Sequence, residues 1–224
     1  MVRAQSGNPS QDDNLFVGPV RTLVLVCAVA AILGGLLLIS GDILGLAAGQ
    51  SGDTYSNSPI EKVMAILFLA GKVFVLLGLV GLYLRQAKSA GRFGVVAFLI
   101  ALAGTGLMIA SDWSEVFTAP ILSEVAPDLV ETNMPTLIII GFVLNFVTEI
   151  LGWLLFGIAT FRARVLPRPA ALLVIAGLFI PFIGPSWSYV VWNGAIVWLG
   201  VAVLRSMARA PSLQTVGSEV VIQA

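Results

Sequence analysis

The sequence has no histidine and a single cysteine, Cys27. One cysteine excludes an intramolecular disulfide, a CxxC redox pair and a cluster of thiolate ligands. The absence of histidine excludes histidine-ligated haem and zinc sites, and also the serine and cysteine hydrolases that depend on histidine. We therefore expect no metal site and no cofactor, and we predict that the protein is not an enzyme.

Charged residues are also scarce. They make up 11% of the chain, against 58% hydrophobic residues, and the mean hydropathy is +0.99. These values lie outside the range of soluble proteins and indicate an integral membrane protein. The 12 basic and 12 acidic residues cancel, so no basic surface suggests nucleic acid as a partner. The lipid bilayer is the expected partner.

Six apolar stretches read as membrane spans, because a membrane core of about 30 Å requires roughly 20 helical residues. They lie at about 23–44, 63–84, 93–110, 136–161, 170–183 and 189–204. The sequence thus predicts an all-α fold, a bundle of six transmembrane helices in a domain of residues 21–206. Residues 1–20 are polar and lack helical periodicity, so we expect a disordered tail there, and residues 207–224 form a second tail.

The basic residues indicate the orientation, because positive charges in short loops stay on the cytoplasmic side. Ten of the twelve lie in the N-terminal segment, the second loop, the fourth loop and the C-terminal segment: Arg3, Arg21, Arg85, Lys88, Arg92, Arg162, Arg164, Arg168, Arg205 and Arg209. The loops on the other side hold only Lys62. We predict a multi-pass protein of the cell membrane with both termini in the cytoplasm.

The longest connection, residues 112–135, is acidic and contains no basic residue. Its apolar side chains recur every three or four positions and are interrupted by Pro120 and Pro127. This pattern predicts two short amphipathic helices on the outer membrane surface. They could cover an outward-facing cavity or only pack over the helix ends.

The fourth loop ends in Leu166, Pro167 and Arg168, and the acidic connection follows the third predicted span. Six spans with basic turns of this kind, together with such a loop, resemble uncharacterised bacterial membrane proteins that are catalogued only as domains of unknown function. The resemblance covers about residues 20–206. It implies the six-span fold and no particular activity.

Three glycines near the end of the first span, Gly41, Gly45 and Gly49, recur at four-residue spacing. Small residues at this spacing let two helix backbones approach closely. They leave open a homo-oligomer formed through helix faces, although glycines are also ordinary in membrane helices.

Two predicted spans each carry one ionisable residue near the centre, Lys72 in the second and Glu149 in the fourth. At 1.5 Å per residue, Lys72 lies about 15 Å and Glu149 about 20 Å from the outer end of its span. The long lysine side chain covers the difference, so we predict a salt bridge between the two. It could only fix the register of the helices, or it could belong to a proton- or cation-linked site.

Two asparagines extend this hypothesis. Asn145 lies one helical turn before Glu149 on the same face, and Asn193 lies inside the sixth span. We predict that Lys72, Glu149, Asn145 and Asn193 form a binding site for a small solute or a proton.

Asp42 and Asp112 lie near outer helix ends, where we expect water to solvate them. Three functions remain open. The first is a small transporter-like or ligand-sensing membrane protein, and the alternative is a non-catalytic structural or assembly subunit of a membrane complex. The third, an intramembrane enzyme, has the least support, because the sequence shows no nucleophile with its base and no metal-ligand cluster.

Overall fold

The computed structural model describes residues 9–47, 58–125, 135–183 and 189–209. These residues are almost entirely helical and include no strand, which confirms the predicted all-α fold. The helices are α1 (Pro9–Ala47), α2 (Pro59–Trp113), a π-helix (Ser114–Thr118), α3 (Ala119–Val125), α4 (Thr136–Ala163), α5 (Arg168–Ile183) and α6 (Tyr189–Ala208). Part of the acidic connection, residues 126–134, lies outside the described residues, and so does the C-terminal segment from residue 210.

Within the described residues, four helical segments are long and apolar enough to cross a membrane: Gly18–Ala47, Pro59–Leu122, Thr136–Ala163 and Tyr189–Ala208. Arg168–Ile180 is a shorter apolar helix. Large hydrophobic side chains face outward on these helices, among them Val26, Leu77, Leu99, Val143 and Leu172. Water solvates such a surface poorly and lipid solvates it well, so the helices indicate a membrane protein.

Gly91 divides α2 into two arms, residues 59–90 and 92–113. Its backbone has φ 57° and ψ −156°, a conformation that is essentially restricted to glycine. The rings of Tyr83 and Phe98 stack with centroids 4.3 Å apart, whereas a straight helix would separate these residues by about 22 Å. The chain therefore reverses direction at Gly91. The second loop expected from the sequence is reduced to one residue, and the basic residues around it lie on helix.

The start of α1 and the end of α2 differ from the sequence prediction. Helix α1 begins at Pro9, so residues 9–20 are helical where the sequence indicates a tail. After the second arm of α2, the chain continues through the π-helix into α3, so the predicted break at Pro120 is wrong. A proline has no N–H to donate to the preceding turn, and the wider π-turn just before it accommodates the ring.

Neighbouring helices form a closed ring: α1 packs against α2 and α6, α2 packs against α4, and α5 packs against α4 and α6. Small residues permit the closest approaches. A Cβ atom on Gly34 would lie 2.8 Å from the Gly71 carbonyl oxygen, and one on Gly152 would lie 2.5 Å from Ala101 Cα. Side chains at these positions would force the helices apart.

Gly41 and Gly45 pack against another helix of the same chain. A Cβ on Gly41 would lie 2.8 Å from the Phe68 ring, and one on Gly45 would lie 2.6 Å from the Met64 methyl group. Both glycines thus pack α1 against the first arm of α2, while Gly49 lies outside the described residues. A homo-oligomer stays a prediction, but these two glycines have a partner helix in their own chain.

Trp153 of α4 is fully buried and joins three helices. Its Nε1 donates a hydrogen bond of 3.0 Å to Thr105 Oγ1 on the second arm of α2. Its ring meets the rings of Phe156 and of Trp192 on α6 edge to face, with centroids 5.8 and 5.1 Å away. This packing fixes the rotation of α4 about its own axis, which matters for the side chain one turn earlier, Glu149.

Candidate functional site

Lys72 and Glu149 form the salt bridge that the sequence predicts. Lys72 Nζ lies 3.2 Å from both carboxylate oxygens of Glu149. The lysine belongs to the first arm of α2 and the glutamate to α4, and their side chains are only 14% and 10% exposed. Neither charge therefore faces lipid without a partner, which is the usual condition for ionisable groups inside a membrane.

Gly104 brings the second arm of α2 against α4 at the level of Glu149. A Cβ on Gly104 would lie 2.6 Å from Glu149 Cα and 2.7 Å from its backbone nitrogen. The next residue, Thr105, accepts the hydrogen bond from Trp153. These contacts fix α4 against the second arm of α2 at Glu149 and one turn later at Trp153. The Glu149 carboxylate consequently points toward Lys72.

Asp112 is buried in the same region, so the expectation that water solvates it is wrong. The residue is 8% exposed, and its Oδ2 has no hydrogen-bond partner within the described residues. Lys72 lies nineteen residues before Gly91 and Asp112 twenty-one after it, so the reversal at Gly91 brings them to the same depth within about 3 Å. Lys72 and Glu149 both act electrostatically on Asp112.

Asp42 and Asn193 make a further contact near this depth, between α1 and α6. Asn193 Nδ2 donates a hydrogen bond of 2.9 Å to Asp42 Oδ2. Asn193 is only 3% exposed, and its Oδ1 has no hydrogen-bond partner in the part of the chain that the structure describes. Lys72 also acts electrostatically on Asp42. Asn193 is therefore hydrogen-bonded to a carboxylate on which Lys72 acts, and Asp42 is half-buried and not simply solvated.

We call Lys72, Asp42, Asp112, Glu115 and Glu149 the acidic cluster. Glu115 lies in the π-helix and interacts electrostatically with Asp112 and Lys72. One carboxylate, that of Glu149, thus contacts the lysine, and three more interact with it electrostatically. Removing an unpaired carboxylate from water costs several kcal/mol, so such a group takes up a proton or attracts a cation. The acidic cluster is a negative site that its own lysine does not neutralise.

Asn145, the fourth predicted site residue, lies apart from the ion pair. Its Nδ2 donates a long hydrogen bond of 3.5 Å to the Leu107 carbonyl oxygen. In the described ranges it makes no hydrogen bond to Lys72 or Glu149, although it lies one turn before the glutamate. Its role in binding stays a prediction.

The sequence interpretation overlooked Asp112 as a buried residue, although its helical spacing carried a signal. The small buried residues of the second arm of α2, Gly94, Ala97, Ala101 and Thr105, recur every three or four positions, and Asp112 continues this face two turns later. It also overlooked Tyr189, one turn before Asn193, which interacts electrostatically with Lys72, Glu149 and Asp42. A buried hydrogen bond of 2.8 Å from Gln86 Nε2 to Thr160 Oγ1 was likewise not predicted.

The chemistry of the acidic cluster favours a cation that donates hydrogen bonds. Across the described residues, no group of three or more His, Cys, Asp or Glu side chains is arranged to hold a metal ion. A Ca²⁺ or Mg²⁺ ion requires about six oxygen ligands at once. A proton or an ammonium group needs only one to three acceptors, and Asp112 Oδ2 and Asn193 Oδ1 are two acceptors without a donor.

Fold and cluster together define a helical membrane protein with a charged site between its helices. A scan against protein-family models, a search of the curated proteins and a search of the solved structures found no match to this chain. The resemblance to uncharacterised bacterial six-span proteins therefore stays a prediction.

Proposed function

We propose that this protein is a six-span protein of the cell membrane, with both termini in the cytoplasm, that binds a small cation at the acidic cluster as a transporter or as a ligand sensor. The observation that carries the proposal is the charge imbalance of the cluster. One lysine pairs with Glu149 and interacts electrostatically with three further carboxylates, and within the described residues Asp112 and Asn193, both nearly buried, each present an oxygen without a donor. A bound cation, or an additional proton, would offset the negative charge and would supply a donor to these oxygens.

The six spans are supported by the turn at Gly91. The apolar segment Pro59–Leu122 is 64 residues long and reverses at this glycine, so it supplies two crossings. Helix α5 has 16 residues and would cover about 24 Å, which is short but sufficient with a locally thinner bilayer. Together with α1, α4 and α6, these helices would make six crossings, with both termini on one side.

Cysteine labelling tests this orientation. Cys27→Ala removes the only cysteine, and Lys62→Cys or Lys88→Cys then introduces one at an exposed position on either side of the predicted membrane. We expect a membrane-impermeant maleimide to label Lys62→Cys on intact cells and Lys88→Cys only after permeabilisation. The reverse pattern would place the termini outside, and labelling of both on intact cells would contradict the six-span topology.

The alternative, a structural or assembly subunit, is supported by a different observation. Lys72 contacts both oxygens of Glu149, and Gly104 holds the two helices in close contact beside the pair. A closed ion pair of this kind can serve only to fix the register of the helices. The two functions differ in one measurable respect, because only the first requires that a cation bind reversibly.

Cation binding can be measured on the purified protein in a neutral detergent, with methylammonium as the probe. A ligand that binds only the folded state raises the melting temperature as its concentration increases. We expect methylammonium to raise it more than sodium at the same ionic strength. Asp112→Asn and Asn193→Leu should abolish the difference, because each removes an acceptor of the cluster. Uptake of labelled methylammonium into proteoliposomes then separates a transporter from a sensor.

Glu124→Gln is the matched control, because Glu124 is an exposed carboxylate in α3, outside the cluster. It should respond to methylammonium as the unsubstituted chain does. A response limited to pH, and lost in Asp112→Asn, would identify the cation as a proton. If neither methylammonium nor pH distinguishes Asp112→Asn from the unsubstituted chain, the cluster binds no cation and the structural function is the better explanation.

A further inference from the structure

One end of the bundle lies away from the acidic cluster and comprises the Gly91 turn, the turn between α4 and α5, and the C-terminus of α6. We call it the basic end. A cavity of about 390 Å³ opens there between the α4–α5 turn at Leu166 and Pro167 and one face of α6. This volume lies within the range of small-ligand pockets. The acidic cluster does not contribute to it, and the proposed cation site gives it no role.

The α6 side of the cavity changes from apolar to positively charged along the helix. Four of its lining residues, Trp198, Ala202, Arg205 and Arg209, lie at spacings of four, three and four, so they form one stripe on the helix surface. Trp198 is 41% exposed, and Ala202 leaves space above it. Over about 16 Å the stripe passes from an aromatic ring to two guanidinium groups. A ligand that matches this stripe is apolar at one end and anionic at the other.

Among the described residues, the arginines of the cavity have no carboxylate partner. Arg205 and Arg209 are exposed, and in the described ranges neither forms a salt bridge. A third guanidinium reaches the cavity wall, because Arg85 Nε donates a hydrogen bond of 3.1 Å to Ser206 Oγ. Ser206 in turn donates to the Val203 carbonyl oxygen over 2.7 Å. Two guanidinium groups therefore line the cavity and a third lies behind its wall at Ser206. Planar guanidinium groups are suited to a phosphate oxyanion.

We propose that this cavity binds an anionic phospholipid of the adjacent leaflet, with its phosphate among Arg205, Arg209 and Arg85 and its glycerol and first acyl carbons along Ala202 and Trp198. A basic pocket between membrane helices at the headgroup level is the general form of such a site. Free phosphate would use the arginines and leave the apolar half of the stripe unoccupied. An amphiphile uses both halves.

Native mass spectrometry of the detergent-solubilised protein tests the proposal with phosphatidylglycerol and phosphatidylcholine as the two probes. We expect the unsubstituted chain to retain phosphatidylglycerol selectively. The double substitution Arg205→Gln with Arg209→Gln should weaken that binding roughly 30-fold, since each basic residue near a headgroup contributes about a factor of five. Phosphatidylcholine binding should change little.

Lys88→Gln with Arg92→Gln is the matched control, because both residues are exposed at the basic end and neither lines the cavity. It removes the same charge and should leave phosphatidylglycerol binding within a factor of about two, as expected for a general surface effect. Equal losses in the two double variants would overturn the proposal, because binding would then follow the net charge of the whole end. If the Arg205 and Arg209 double variant does not fold, Arg209→Gln alone provides the comparison.

Ala202→Phe tests the apolar half of the cavity without changing any charge. We expect it to reduce phosphatidylglycerol binding by filling the space above Trp198. Inorganic phosphate and glycerol phosphate serve as competitors that lack acyl chains, and they should displace the lipid only at a large excess. Displacement at equal concentration, together with unchanged binding in Ala202→Phe, would overturn the lipid assignment in favour of a free phosphate.

Discussion

Two regions of the bundle, the acidic cluster and the basic end, carry opposite charges in different surroundings. At the acidic cluster, Asp112 and Glu149 are nearly buried between helices, and Lys72 contacts the glutamate directly. At the basic end, Arg205 and Arg209 are exposed beside an open cavity. A charge interaction is several times stronger in a low-dielectric interior than in water. The comparison teaches that charges in different surroundings have different expected consequences: at the acidic cluster we expect them to affect folding and the proposed binding of a small cation, and at the basic end the proposed contact with a lipid.

The largest expected effect is that of removing Lys72. Lys72→Met leaves the nearly buried carboxylate of Glu149 without its partner and removes the positive charge that acts on the other three carboxylates, and we expect it to lower the free energy of unfolding by about 3 to 5 kcal/mol. Glu149→Gln should cost less, because Lys72 would still face Asp42 and Asp112. Thermal unfolding in detergent measures both, and Lys62→Met, at an exposed position of the same end, is the control. Equal costs for the two substitutions would reduce the acidic cluster to an isolated ion pair.

The next effect tests the close helix contact that buries the cluster. Gly104→Leu places a side chain against the backbone of Glu149, 2.6 Å from its Cα, so we expect a loss of about 3 kcal/mol in the free energy of unfolding. Gly106→Leu, two residues later, meets no atom within 4 Å and should be tolerated. If the two variants melt together, the packing around Glu149 is looser than the structure indicates.

At the basic end the strongest effect should come from the backbone and not from charge. Gly91→Ala meets no neighbouring atom, but its positive φ of 57° is unfavourable for a residue with a side chain, so a cost of about 2 kcal/mol is expected. Arg164 has φ 58° in the left-handed helical region, and Arg164→Gly should relieve strain and cost nothing. Denaturation of both variants checks this. A destabilised Arg164→Gly would show that the arginine side chain contributes more than the turn.

The smallest expected effect has the opposite sign. Asp112→Asn removes a buried charge whose Oδ2 has no hydrogen-bond partner in the described residues, so we expect the protein to become more stable by about 1 kcal/mol near neutral pH. Glu124→Gln at an exposed position should leave the melting temperature unchanged. A destabilised Asp112→Asn would mean that the carboxylate already has a bound partner in the purified protein, such as a cation retained at the cluster.

The sequence predicted the class of fold and one long-range contact. Apolar stretches of the length of a membrane form helices because their backbone must satisfy its own hydrogen bonds. All six stretches predicted as spans lie within described helices, although the prediction used no knowledge of packing. The contact between Lys72 and Glu149 followed from depth alone, because the constant rise of a helix converts sequence position into height. Helix α4 begins at Thr136, the residue at which the fourth span was expected to start.

Other features depended on which helix faces meet, and periodicity does not determine that. Three such features form between separate helices: the burial of Asp112, the hydrogen bond between Asp42 and Asn193, and the cavity beside Arg205 and Arg209. Their positions follow from close contacts at glycines and from the reversal at one residue, Gly91. The sequence by itself therefore determined the apolar helices and the matching depth of Lys72 and Glu149, because these follow from the bilayer and the geometry of one helix. Only the tertiary structure decided which charges share a site, because that depends on the rotation of each helix against its neighbours.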